Sequence, residues 1–335
     1  MLDKTGEKML VIVGPTATGK TSLALQLAET YNGDIISADS RQVFKGMDIG
    51  TGKDIPESAK YKATDIVWNK ERLGYYKAGS VRIWGYDLVT PKEEFNVAEY
   101  LQCVDLIVDR INEERKLPIF VGGTGLYIKA VIDGIETAAI PRNRRLRAYL
   151  EEKSTEELYE LLANTDSLKA ASLNASDRYN PRRLVRAIEV AQWNLNEGGD
   201  SLVSAKKAKK DTLTIGLKAD REYLYEKVIK RVAERINLGL EDEIRKLIAA
   251  QIDWDFQSMD TLGYKEWKGY FQGKMTKEEV VGEWIKDEKH YIKRQLTWFK
   301  KDKRIKWFDV SIENWKASVE NTVNKWYKKI VEDKK

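Results

Sequence analysis

Cysteine and histidine are nearly missing, with one of each in 335 residues. A lone Cys103 cannot form a disulfide within the chain, and metal–thiolate chemistry is excluded with it. Cys103 stands in "YLQCVDLIV", an apolar helix face that points to packing rather than reactivity. His290 lies among lysines and reads as a solvated surface residue, so no histidine-based catalysis is implied. Long apolar runs are absent too. Those at 9–13 and 117–121 fall far short of the roughly 20 residues a membrane span needs, and no charged-then-apolar leader precedes the first. The expectation is a soluble, cytoplasmic protein without membrane contact, and without internal repeats or low-complexity segments.

What is present is enough apolar residue, 42%, to fill a core of one large domain or two modest ones. Net charge is only +5, but the positives cluster. Residues 285–306 hold nine Lys/Arg against three Asp/Glu, interleaved with Tyr291, Trp298 and Phe299 and followed by Trp307. Such a stretch suits a polyanion that carries stackable bases.

Hydrophobic periodicity gives the organisation. A β-branched run at 9–13, a helical period from Thr21 and a second buried strand in "DIISAD" make a βαβ start. A long amphipathic helix from about residue 97 to 115 precedes "LPIFVGG", a third strand. Between 54 and 80 the period is lost, which reads as an insertion with a hairpin in "VWNKERLGYYKAGSVRIWGYDLV". From 141 to 196 the chain turns helical and Arg-rich. The loop "NEGGDS" and the lysine-rich "AKKAKKD" follow, then the strand "TLTIGL", a helix over 221–250, a turn at "DTLGYKEW" and a helix over 277–300. The fold class is therefore α/β: a parallel sheet core over 1–137 and 205–330, with a helical domain inserted at 138–204.

"GPTATGKT" matches G-x-x-x-x-G-K-[ST] and sits where the mechanism requires, after a strand and before a helix. Its glycines let backbone N–H groups converge on phosphate oxygens at a helix N-terminus, Lys20 adds charge, and the Thr21 hydroxyl can hold Mg²⁺. This specifies a diphosphate or triphosphate without singling out ATP. "ISADSRQVFKGMDIGTGK" then puts Asp39 at the carboxyl end of the second strand, the edge where open α/β sheets bind ligands. Taken alone, Asp39 suits Mg²⁺ binding or general base work, and equally a turn cap with Ser40.

Six blocks, "GPTATGKT", "ISADSRQVFKGMDIGTGK", "LPIFVGGTGLYIKA", "NPRRLVRAIEV", "TLGYKE" and "KRQLTWFKKD", occur in the order and at about the spacing of the tRNA dimethylallyltransferases. The chain resembles that family from residue 9 to about 309. The resemblance implies a P-loop NTPase-like core and transfer of a dimethylallyl group from dimethylallyl diphosphate to N6 of adenine 37, just 3′ of the anticodon, in tRNAs reading codons that begin with U. It implies Mg²⁺ as cofactor, with Thr21 as its ligand, and the tRNA anticodon stem-loop as partner of a monomeric enzyme.

By the same resemblance Gly14, Pro15, Thr16, Ala17, Thr18, Gly19, Lys20 and Thr21 hold the diphosphate, helped by Thr124 and Arg231. Asp39 hydrogen-bonds the adenine amine and accepts its proton, work a carboxylate can do within hydrogen-bond reach. The tRNA contacts carried over are Asp39, Ser40, Arg41 and Gln42, Thr124, and Arg147. Further along are Arg182, Arg183, Leu184, Val185 and Arg186, then Asp260, Thr261, Leu262, Gly263, Tyr264 and Lys265. The last block is Lys293, Arg294, Gln295, Leu296, Thr297, Trp298, Phe299 and Lys300.

The chain departs from the family at the insertion. A short link normally leads to a Pro-His-His-Leu-type segment, whereas here the equivalent reads "IWGYDLV" with no histidine. Three other readings compete. A small-molecule phosphotransferase leaves the basic, aromatic C-terminal stretch without a purpose. An isopentenyltransferase for free adenine nucleotides would typically lack the C-terminal blocks. A non-catalytic tRNA-binding protein would have no need of Lys20, Thr21 and Asp39.

Overall fold

The computed structural model describes residues 8–197 and 211–332. The glycine-rich loop at 198–201 and the lysines at 206–210 lie outside the described residues. The chain divides into two compact units, one of Met1–Asp133 with Lys209–Lys335 and one of Gly134–Ala208.

The first unit begins with β1 (Lys8–Val13), buried along its whole length, as an apolar run covered on both faces must be. The phosphate loop leads into α1 (Lys20–Thr30), which buries Leu23, Ala24, Leu27 and Ala28 at helical spacing, and then into β2 (Gly33–Ser37). Next come β3 (Lys60–Trp68), β4 (Glu71–Ala78) and β5 (Val81–Trp84). Asn96 and Glu99 form a capping box that starts α2 (Val97–Glu113), satisfying N–H groups the helix cannot pair itself. β6 (Leu117–Gly122) and α3 (Gly125–Asp133) complete this half.

The second unit is helical: α4 (Arg144–Glu151), α5 (Thr155–Thr165), α6 (Ser167–Ser172), α7 (Ala175–Arg178) and α8 (Pro181–Glu197). Its own core gathers Leu150, Leu158, Leu162, Leu184 and Ile188.

The chain re-enters the first unit with β7 (Asp211–Lys218), α9 (Arg221–Asn237) and α10 (Leu240–Ala249). The single helix expected over 221–250 is two, because Gly239 sits at φ 93, a left-handed conformation that ends one helix and starts the next. Short α11 (Lys268–Phe271), long α12 (Lys277–Phe299), β8 (Lys306–Asp309) and α13 (Trp315–Glu332) finish the fold. β8 was not anticipated; four residues with charged ends carry no legible period.

One eight-stranded sheet runs β3-β4-β5-β2-β6-β1-β7-β8. Strands β5 to β8 in that row are parallel neighbours, with Leu10 opposite both Ile119 and Leu213. The insertion is an antiparallel meander that widens this sheet. Asn69 (φ 49) and Lys70 (φ 69) supply two left-handed residues in succession, as a two-residue hairpin turn requires. From β1 the chain crosses to β2 on one side, while β7 lies on the other. The carboxyl end of β1 thus opens a crevice at the reversal of strand order, where α/β sheets bind ligands. No helix among the described residues is long and apolar enough to cross a membrane.

Candidate active site

The phosphate loop fills that crevice. Gly14 has φ 145, and a Cβ there would lie 2.5 Å from the Leu217 carbonyl oxygen, so the loop leaves β1 pressed against β7. Gly19, left-handed at φ 75, starts α1 without a side-chain cap, so no side chain claims the first-turn N–H groups. Thr18 Oγ1 and Lys20 Nζ each donate to the Pro15 carbonyl at 2.8 Å and round the loop on itself. Enclosure of the Lys20 ammonium, reinforced by nearby Arg231, pushes its pKa down to about 8. Thr21 Oγ1 donates to Asp54 Oδ2 at 3.1 Å, and Arg231 Nη2 donates to Asp54 Oδ1 at 3.1 Å and to the Gly52 carbonyl at 3.2 Å.

Asp39 lies two residues beyond β2, on the same crevice. Arg41 serves both its oxygens: the backbone N–H and Nε donate to Oδ1 at 3.1 and 3.2 Å, and Nη2 donates to Oδ2 at 3.1 Å. Burial alone would raise the carboxyl pKa, but the Arg41 guanidinium outweighs it and holds the group below the usual carboxylate range. Next door, Ser40 donates its backbone N–H to Thr124 Oγ1 at 3.0 Å. Thr16, Lys20, Thr21, Asp39, Arg41 and Arg231 thus line one pocket, with Asp54 and Tyr86 beside them.

Elements remote in sequence hold this pocket in shape. Gln295 of α12 accepts from Thr16 N–H at 3.0 Å and donates through Nε2 to the Gly123 carbonyl at 3.1 Å, tying the phosphate loop to the end of β6. Glu243 of α10 accepts from three successive backbone N–H groups, those of Asp48, Ile49 and Gly50, at 2.9 to 3.1 Å, and from the Tyr264 hydroxyl at 2.5 Å. Such a nest of amides is an anion site, here filled by the protein's own carboxylate. Buried Arg235 donates to the Gly50 carbonyl and to buried Glu288, both at 3.2 Å.

The expected tRNA-contact blocks divide by burial. Lys293, Arg294, Thr297, Trp298 and Lys300 face solvent along α12, and Asp260 and Lys265 are also exposed. Gln295 and Phe299 point inward, and Thr261, Leu262, Gly263 and Tyr264 are buried. These six positions pack inside the protein, as Asp39 does, and Leu296 is half-buried. In the second unit Arg182 and Arg183 are exposed, while Leu184 and Val185 belong to its core. Arg147 and Arg186 both pair with buried Glu189, at 2.7 and 3.1 Å.

Asp54, Tyr86, Glu243 and Tyr291 were not singled out as site residues. Asp54 carried one usable signal, an acidic residue directly after the glycines of "GTGK". Tyr291 was visible only as an aromatic of the basic stretch, and Tyr86 and Glu243 carry no local signal.

Comparison with known proteins supplies relatives over most of the chain. A family described as IPP transferase matches residues 42–302, and one described as isopentenyl transferase matches 7–75. The tRNA dimethylallyltransferase of Halothermothrix orenii is 38% identical over 318 residues, 92% of this chain and 89% of that protein. That of Anoxybacillus flavithermus is 36% identical over 311 residues, 91% of each. The crystal structure of full-length tRNA isopentenylpyrophosphate transferase from Bacillus halodurans matches with TM-score 0.67 and 32% identity, over 96% of this chain and 97% of that one.

Proposed function

Because the chain belongs to the IPP transferase family, we propose that it is a tRNA dimethylallyltransferase that moves a dimethylallyl group from its diphosphate to N6 of adenine 37 in the anticodon loop. The observation that carries this reading is the convergence of Lys20, Thr21 and Arg231 with Asp39 in one pocket. The first three suit a diphosphate leaving group and the last an amine nucleophile.

In the reaction the N6 lone pair forms a bond to the allylic carbon while the bond from that carbon to the diphosphate oxygen breaks. Charge grows on the departing oxygens, where the loop N–H groups, Lys20 and Arg231 stabilise it. Asp39 takes the proton that the amine loses. The adenine must leave its stack to reach this pocket. The exposed basic and aromatic side chains of α12, Lys293, Arg294, Trp298 and Lys300, suit the backbone and bases of the anticodon arm.

The donor set fits magnesium: the Thr21 hydroxyl and the Asp54 carboxylate meet at 3.1 Å, both hard oxygens beside the phosphate loop. When bound there, the ion would neutralise charge on the diphosphate. The enzyme works as a monomer in the cytoplasm.

The test uses purified protein, Mg²⁺, labelled dimethylallyl diphosphate and unmodified tRNA. Label should appear on the adenine beside the anticodon. Label on free AMP but never on tRNA would overturn the reading. Asp39→Ala should lose transfer and keep tRNA affinity within a few-fold, whereas loss of folding would favour a turn-capping role.

A further inference from the structure

Asp39 takes the proton in the reading above, and this inference rests on that role. In the arrangement described both of its oxygens are engaged by one arginine. Its Oδ1 accepts from the Arg41 backbone N–H and Nε, and its Oδ2 from Arg41 Nη2. A second lone pair remains on Oδ2, but a proton taken up there would sit against the guanidinium charge, which favours the ionised carboxylate.

Three features separate this contact from a permanent ion pair. The remaining guanidinium nitrogen, Nη1, is buried with no hydrogen-bond partner among the described residues, so the present seat leaves a donor unused. The guanidinium lies 4.6 Å over the Tyr291 ring, a face that attracts it whichever way it is turned in the plane. The backbone N–H bond to Oδ1 does not depend on the side chain. Rotating the guanidinium away therefore frees Oδ2 and leaves the carboxylate aimed.

We propose that Arg41 is a positioning residue acting as a latch: it covers Asp39 until an RNA backbone phosphate takes its guanidinium, and the departure opens Oδ2 to the adenine amine. Removing one partner of a buried pair is strongly unfavourable unless another anion replaces it. A phosphate presents oxygens that match the guanidinium fork as a carboxylate does, and free adenosine presents none. Docking of the RNA and exposure of the base thus become one event.

Other groups face Asp39 as well. Lys20 comes from α1, Tyr86 from beyond β5, Tyr100 from α2, Tyr127 from α3 and Tyr291 from α12, and Glu288 of α12 interacts with Arg41. Among those acting on the carboxylate, Arg41 leads in keeping it ionised against burial, with Lys20 behind it. Loss of the guanidinium therefore moves Asp39 titration upward.

The experiment compares the wild type with Arg41→Met in single-turnover assays across acid pH, at subsaturating and saturating anticodon stem-loop RNA. The subsaturating limb reports the free enzyme and the saturating limb the complex. In the wild type the free-enzyme limb should lie at lower pH than the complex limb, because the latch is closed only in the former. In Arg41→Met that gap should close by upward movement of the free-enzyme limb, and transfer to adenosine should rise above the wild-type level while RNA transfer falls through weaker binding. A wild type with no gap, or a variant that keeps the same gap, overturns the latch. Should Arg41→Met fail to fold, Arg41→Lys, which keeps the charge but not the fork, is read by the same gap. A wild type that does not modify RNA at all would instead sink the proposed function.

Discussion

Gln295 is the cleanest place to perturb the site without touching a reacting group. Its side chain is 4% exposed and makes two bonds, accepting from Thr16 N–H at 3.0 Å and donating to the Gly123 carbonyl at 3.1 Å. Gln295→Leu keeps the volume and removes both, leaving a backbone donor and a backbone acceptor enclosed. Each unsatisfied group costs about 1–3 kcal/mol, and some relaxation of the loop toward water trims the sum to about 2–4 kcal/mol. Urea unfolding should show that loss, and thermal unfolding a drop on the order of 5–15 °C for a unit of this size. Gln295→Glu keeps the acceptor for Thr16 but sets a carboxylate against the Gly123 carbonyl, so it should fare no better. Donor affinity should weaken, because the bond from Thr16 N–H to Gln295 holds the proposed diphosphate loop in shape. RNA affinity should move by less than about threefold, since Lys293, Arg294, Thr297 and Trp298 lie on the exposed side of the same helix. A stability change under about 0.5 kcal/mol, or RNA affinity falling further than donor affinity, would refute the reasoning.

The remaining predictions concern charge. With the Lys20 pKa pushed down to about 8, the ammonium is charged below that pH and neutral above it. Dimethylallyl diphosphate should therefore bind progressively more weakly as pH rises above about 8, and Lys20→Met should abolish that decline; equilibrium binding across alkaline pH decides this. Glu243→Gln keeps one acceptor oxygen for three N–H groups and should cost about 1–3 kcal/mol in urea unfolding, with an unchanged midpoint counting against the clamp. Burial would raise the Glu189 pKa, but hydrogen bonds from Arg147, the Asn143 N–H and Arg186 hold it below the usual carboxylate value. Its stabilisation is present above the unfolded-state pKa and is lost as pH falls through the lower folded-state one. Thermal unfolding should accordingly show wild type above Glu189→Gln at neutral pH, with the difference vanishing in strong acid; a constant difference contradicts the pairing.

Legibility in the sequence followed the range of the interaction. The phosphate loop could be read because its chemistry needs glycines, Lys20 and Thr21 within eight consecutive residues between a strand and a helix. Asp39 could be placed because strand ends mark the ligand edge of a parallel sheet. The partners that hold these residues were not readable: Gln295 reaches Thr16 across 279 positions and Glu243 reaches Asp48 across 195, separations at which no local pattern survives. The meander was recognisable as an insertion, yet its docking against β2 depends on Ile83 and Trp84 meeting Ile35 and Ile36, a pairing no turn signal encodes.

The same limit applies inside the blocks expected to meet RNA. On α12 a helical period sends Ile292, Gln295 and Phe299 inward and leaves Lys293, Arg294, Thr297, Trp298 and Lys300 outside. On α8 it buries Leu184, Val185 and Ile188 between exposed or half-buried arginines. A contiguous motif therefore serves two purposes at once, one face bracing the phosphate loop or the core and the other available to a polyanion. Substitutions within such a block should separate by face, the inward ones acting on stability and donor binding and the outward ones on the salt dependence of RNA affinity.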